Sequence, residues 1–188
     1  MTLANQLTIL RMVLAAAMFL ALMVADRGWH LAALGLLTAA IVTDWIDGWV
    51  ARYTNSVSSF GKVADPIADK ILVIGALIAL IRTRELAIPL WGVFLIIARE
   101  LLVGGLRVLA GSQGKVLAAE KWGKWKMGVQ SAGVFLMLGI LVLREYELGP
   151  EWLERLPYPL TVLCVAATWS SALMYVRQNR ELLEKSWR

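Results

Sequence analysis

The sequence predicts an all-α, polytopic membrane protein, one domain over residues 1–188 made of six transmembrane helices. Three observations predict it. Hydrophobic residues make up 59% of the chain, against roughly 45–50% in soluble domains. Mean hydropathy is +0.66. Charge is clustered, so apolar stretches of about 20 residues, the length needed to cross a hydrocarbon core, survive between the clusters.

The first span is expected over 7–24. Its leader lacks a basic cluster and no small-x-small cleavage site follows, so it is read as an uncleaved helix rather than a signal peptide. The second covers 29–51, after the turn signal Asp26-Arg27-Gly28. Thr54-Asn55-Ser56 separates it from the third, 61–81, and Arg82-Thr83-Arg84-Glu85 separates that from the fourth, 88–110. Gly111-Ser112-Gln113-Gly114 and Gly149-Pro150 flank the fifth, 123–143, and the sixth covers 160–175. These breaks combine charge with the residues that favour turns. Pro66 lies inside the third span and should kink it or free the Lys62 carbonyl. Residues 177–188 form an amphipathic, partly basic tail.

Six spans put both termini on one side. That side carries Arg52, Lys115, Lys121, Arg177, Arg180, Lys185 and Arg188, with Lys62, Arg107, Lys124 and Lys126 at nearby helix ends. The opposite loops carry Arg27, Arg82, Arg84, Arg144 and Arg155. The bias places the termini and the loop beside Arg52 in the cytoplasm. The expected location is the bacterial inner (cytoplasmic) membrane. A formal charge of +5 suits an anionic lipid leaflet. No basic groove with interleaved aromatics appears, so nucleic acid is not an expected partner.

Cys164 is the single cysteine, which excludes an intramolecular disulfide and makes a small packing residue the expectation. His30, the single histidine, follows Trp29 at a predicted membrane edge, where an interfacial role is expected. Zinc therefore lacks a ligand set. Trp91, Trp122, Trp125, Trp152 and Trp187 fall near predicted interfaces and read as anchors.

Eight positions carry the chemistry: Asp44, Asp47, Gly48, Ala51, Arg52, Gly61, Asp65 and Asp69. Asp44 and Asp47 share a helical face, which Gly48 and Ala51 continue, and Gly61, Asp65 and Asp69 recur every four residues on the next span. A short connection makes the two helices antiparallel neighbours, so the faces can converge. An ionised side chain at the centre of a bilayer costs roughly 2.5–3.5 kcal/mol, and four together need strong compensation. All-oxygen ligation suits Mg²⁺ or Mn²⁺, with Ca²⁺ a further option. Two ions would neutralise four acids and could clamp a diphosphate. Arg52 could hold phosphate oxygens bidentately. Two other readings of the acids stand beside this one. They could pair with Lys62, Lys70, Arg52 and Arg99, or they could line the ion path of a cation transporter. A transporter would spread acids along several spans, whereas these lie on two, near one membrane face. A purely structural membrane scaffold gives no reason for four intramembrane acids.

With its spacing, this pattern resembles the signature of the CDP-alcohol phosphotransferase family, and all eight positions match. The resemblance implies a homodimeric, six-helix membrane enzyme with a cytoplasm-facing site and a divalent metal, Mg²⁺ or Mn²⁺, as two ions. It implies Asp44, Asp47, Asp65 and Asp69 as metal-site residues, with Asp69 as the candidate general base. Gly48, Ala51, Arg52 and Gly61 match positions that accommodate the CDP group. Leu7-Thr8-x2-Arg11, Ala98-Arg99-Glu100, Leu106-Arg107 and Gly123-Lys124-x-Lys126 with Gln130 are similar to the phosphatidylglycerophosphate synthases of the family. Ala4 and Met127 depart from that subfamily, which usually has proline and threonine there. This likeness implies CDP-diacylglycerol as donor and glycerol 3-phosphate as acceptor, with serine, inositol phosphate or a phospholipid as alternative acceptors. Independently, Arg107, Lys121, Lys124 and Lys126 cluster at the cytoplasmic ends of two spans. That cluster suits a phosphorylated acceptor, although positive-inside charge alone could account for any one of them.

Overall fold

A computed structural model describes residues 3–54, 59–83, 86–112 and 121–180. The expected tail beyond 180 and most of the loop at 111–120 lie outside the described residues. Among them the chain is all-helical: α1 Leu3–Met23, α2 Arg27–Thr54, α3 Ser59–Arg82, α4 Leu90–Ser112, α5 Lys121–Glu145 and α6 Pro157–Gln178. Each corresponds to one predicted span. Hydropathy locates the apolar part of a helix, but the helix itself runs on until its backbone is capped, so most are longer than the apolar stretch. α2 continues to Thr54 and thereby keeps Asp44, Asp47, Gly48, Ala51 and Arg52 on one helix. α6 starts at Pro157, where a fixed φ and a missing N–H suit a first helical turn. It follows a single 3-10 turn, Glu151–Arg155.

Among the described residues four segments are long and apolar enough to cross a membrane: Asn5–Met23, Arg27–Ile46, Trp125–Glu145 and Glu151–Gln178. α3 and α4 have similar length but carry charge within it, Asp65, Asp69 and Lys70 on α3 and Arg99, Glu100 and Arg107 on α4. Pro66 leaves α3 continuous. Lacking an N–H, it leaves the Lys62 carbonyl without its i+4 donor. α5 ends differently from the turn signal at Gly149-Pro150. Glu147 takes φ 56°, and the Leu148 N–H donates to the Leu143 carbonyl at 2.9 Å while the Glu147 N–H donates to the Arg144 carbonyl at 2.9 Å. Those two bonds close the last turn as a Schellman cap, with glutamate where glycine is usual.

α1 packs against α2 and α3, α5 against α2, α3 and α6, and α4 against α6 and α3. Met18, Leu37, Leu77, Leu80, Ile96, Met137, Leu138 and Leu141 fill the core between them. Ala33, Ala40, Ala68, Ala76 and Ala79 are wholly buried and let backbones approach. Outward-facing Leu20, Phe94, Leu101, Val108 and Leu173 are exposed, as lipid-facing positions would be. Cys164 is 2% exposed, so the expected packing role fits its position. A Cβ added to Gly133 would stand 2.6 Å from its sulfur, closer than packed atoms tolerate. His30, expected at the interface, is buried at the α2 start, with Nδ1 2.6 Å from Glu145 Oε1 on α5. The α5 carboxylate draws the ring inward.

The α5–α6 contact yields a prediction. Gly133→Ala should destabilise the bundle by about 1–3 kcal/mol through overpacking. Adding Cys164→Ala should restore most of that loss in thermal unfolding followed in detergent. An undiminished loss in the double variant would place the strain elsewhere.

Candidate active site

The acids of α2 and α3 meet on α1. Thr8 and Arg11 are three residues apart, hence on one face of α1, and both are buried. Arg11 Nη1 donates to Asp44 Oδ1 at 2.8 Å and to Asp69 Oδ1 at 2.9 Å. Thr8 Oγ1 donates to Asp65 Oδ1 at 2.5 Å. Asp65 and Asp69 are one turn apart on α3, so neighbouring residues of α1 reach neighbouring residues of α3 in register. The Arg11 side chain is 1% exposed, that of Asp69 22% and that of Asp44 51%. The cluster therefore opens from a buried cation toward a half-exposed acid.

Three of the four predicted acids are thus brought together. Asp47, Gly48, Ala51 and Arg52 lie on α2, and Gly61 on α3, in the helical backbone that the spacing predicts. The side chains of Asp47, Ala51 and Arg52 lie outside the described residues. Sequence reasoning missed Thr8 and Arg11 as members of this site. A signal was present: a cation inside the first apolar span, one turn after a threonine, is costly unless it has a partner.

The donor set is carboxylate oxygen, which fits a hard divalent cation. Among the described residues, which leave out the Asp47 side chain, no three histidine, cysteine or acidic side chains are grouped so as to hold a metal ion. Charge argues in the same direction as donor type. The signature holds four carboxylates, and like charges at close range inside a low-dielectric bundle oppose ionisation unless cations offset them.

A second ionic cluster lies between α4, α5 and α6. Glu100 Oε1 accepts from Lys126 Nζ and from Arg99 Nη1, the latter at 3.1 Å. Arg99 Nη2 donates to Ser171 Oγ at 3.0 Å, and Gln130 Nε2 to Thr168 Oγ1 at 2.7 Å. All six side chains are buried. Lys70, next to Asp69 in sequence, reaches the Glu100 carbonyl at 3.5 Å. Gly104 leaves room for it, since a Cβ there would lie 3.2 Å from Lys70 Nζ. Among the described residues, Lys70 and Arg99, considered as partners of the signature acids, bond to groups of α4 and α6. Of the predicted acceptor cluster, Lys126 is engaged by Glu100. Arg107 lies over the Tyr175 ring, 5.8 Å from its centroid. The Lys121 and Lys124 side chains lie outside the described residues.

Comparison with known proteins adds an independent line. The sequence model of the CDP-alcohol phosphatidyltransferase family matches residues 1–173. A CDP-diacylglycerol–glycerol-3-phosphate 3-phosphatidyltransferase of Bacillus subtilis is 36% identical, over 98% of this chain and 95% of its own length. The Arabidopsis thaliana protein called CDP-diacylglycerol–glycerol-3-phosphate 3-phosphatidyltransferase 2 is 33% identical, over 98% of this chain and 82% of its own. A Mycoplasma genitalium protein of the same description is 33% identical over 78% of this chain and 64% of its own. The eight-position signature, the gathering of its acids on α1 and a match over nearly the whole length agree: the chain belongs to the CDP-alcohol phosphatidyltransferase family.

Proposed function

We propose that this chain is an integral-membrane enzyme that transfers the phosphatidyl group from CDP-diacylglycerol to glycerol 3-phosphate, giving phosphatidylglycerophosphate and CMP. The observation that carries the reading is the convergence of Asp44, Asp65 and Asp69, from two helices, at one end of α1. The relatives' shared description supports the choice of donor and acceptor.

Each group has a task in that reaction. Asp44, Asp47, Asp65 and Asp69 hold Mg²⁺ or Mn²⁺, two ions by the charge argument. Bound there, the metal supplies positive charge for the pyrophosphate of the donor. Gly48, Ala51, Arg52 and Gly61 receive the CDP group, the small residues giving room and Arg52 giving paired N–H donors. Arg107, Lys121, Lys124 and Lys126 receive the acceptor phosphate. Glu100 positions Lys126 and Arg99 by accepting from both. Asp69 takes the proton of the acceptor hydroxyl as its oxygen attacks the β-phosphorus of the donor. The new P–O bond forms as the bond to CMP breaks, and CMP leaves with the electron pair. All six helices span the bacterial inner membrane, with the site and both termini on the cytoplasmic side, and the working enzyme is a homodimer.

The test uses purified protein, CDP-diacylglycerol, Mg²⁺ or Mn²⁺, and radiolabelled glycerol 3-phosphate. Lipid-extractable label and equimolar CMP are expected, both lost with EDTA. Asp69→Asn should fold and lose nearly all turnover, and a near-native rate in that variant would remove Asp69 from the base role. CMP release with a different alcohol alone would keep the family chemistry and overturn the acceptor. No CMP with any alcohol, from folded protein, would overturn the reaction.

In the same assay Arg107→Ala should raise the acceptor KM and leave the donor KM nearly unchanged. Equal changes in both would remove Arg107 from the acceptor site. Size exclusion with light scattering in detergent should show a dimer, and a monomer retaining full activity would contradict the assembly.

A further inference from the structure

The Arg11 contact has a chemistry of its own. One guanidinium nitrogen serves two carboxylates that belong to different helices, Asp44 on α2 and Asp69 on α3. Those carboxylates are also half of the proposed metal-binding set. A Mg²⁺ ion sits about 2.0–2.1 Å from its oxygen ligands. An ion bridging the same two oxygens would therefore stand about 5 Å or less from Arg11 Nη1, close enough for the two cations to repel. The guanidinium and a bridging ion would compete for those oxygens. The Arg11 side chain is 1% exposed, and these two acids neutralise it only while no other cation takes their oxygens.

We infer that Arg11 is an exchangeable counter-cation of the acid cluster. It holds Asp44 and Asp69 together when no divalent ion bridges them, and it gives up both bonds when one does. The inference rests on the proposed metal reading and adds to it a competitor within the chain. It makes metal binding an exchange of one cation for another rather than addition to bare acids. Bare acids would repel one another and splay α2 from α3. With Arg11 in place the helices stay registered on α1 before the metal arrives. The cost is affinity, because each ion must displace a hydrogen-bonded cation. Thr8 escapes the exchange, since it is neutral and donates to Asp65, outside the Asp44–Asp69 pair that Arg11 bridges. It keeps α1 tied to α3 throughout.

The experiment follows Arg11 directly and needs no turnover. Full-length protein in detergent, labelled with ¹⁵N in its arginine side chains, is stripped with EDTA and titrated with Mg²⁺. Arg11→Lys identifies the Arg11 resonances by their loss. In stripped protein the Arg11 Nη signals should show the slowed rotation and shift of a carboxylate-bound guanidinium, and saturating Mg²⁺ should abolish both. In calorimetric titration Arg11→Met should bind Mg²⁺ about tenfold more tightly than the unsubstituted protein. If Arg11→Met does not fold, Arg11→Lys, which keeps charge but loses the fork, takes its place and should bind about as weakly as the unsubstituted protein. Arg11 signals that stay unchanged while calorimetry reports bound Mg²⁺ would overturn the exchange and leave the metal site standing, with the ion on other carboxylate oxygens. Absence of Mg²⁺ binding to the unsubstituted protein and every variant would overturn the metal reading, and the exchange with it.

Discussion

The structure depends on how ionised side chains are neutralised inside an apolar bundle. Asp44 of α2 and Asp65 and Asp69 of α3 come together at α1, and like charges at close range oppose one another unless cations offset them. Arg11, brought by α1, answers part of that charge with a single nitrogen shared by Asp44 and Asp69. It acts on packing as well as charge, because it ties the first three helices at one end. Thr8 adds a neutral tie one turn away.

The second cluster solves the same problem in the opposite sense. Glu100 is one acid among cations, receiving Lys126 and Arg99 at one oxygen. Acid excess lies at α1–α3 and base excess at α4–α6, and Lys70 joins them through the Glu100 carbonyl. A bundle with this polarity suits a reaction between two phosphorylated substrates. Metal-bound acids would hold the diphosphate, and fixed cations would hold the acceptor. Truncating either partner of the buried Glu100–Lys126 pair would leave the other uncompensated, at about 3–5 kcal/mol, and the half-exposed Asp44 would cost less. The two clusters therefore support the fold as well as serving the chemistry.

Much of the architecture was legible in the sequence. Six apolar stretches became six helices, since hydropathy over a spanning length is a local property. The acids were legible because their three- and four-residue spacings fix a helical face. What escaped was long-range. Nothing local says that Arg11 on α1 reaches Asp44 and Asp69, more than thirty residues away, and so Lys62, Lys70, Arg52 and Arg99 were weighed as partners instead. Lys70 and Arg99 turn toward Glu100 because α3 and α6 pack on α4. His30 was placed at the interface because its neighbour Trp29 favours one, but Glu145, distant in sequence, pulls it inside. The cap that closes α5 was not legible, because Glu147 adopts a left-handed conformation that composition assigns to glycine.

The claim on which the account turns is that Arg11 and the signature acids form one energetic unit. A double-mutant cycle with Arg11→Met and Asp69→Asn, measured by unfolding of EDTA-stripped protein in detergent, tests it directly. The account predicts a coupling of at least about 1 kcal/mol, the double variant losing less than the two single losses together. Losses that add within about 0.5 kcal/mol would show two independent side chains and contradict it.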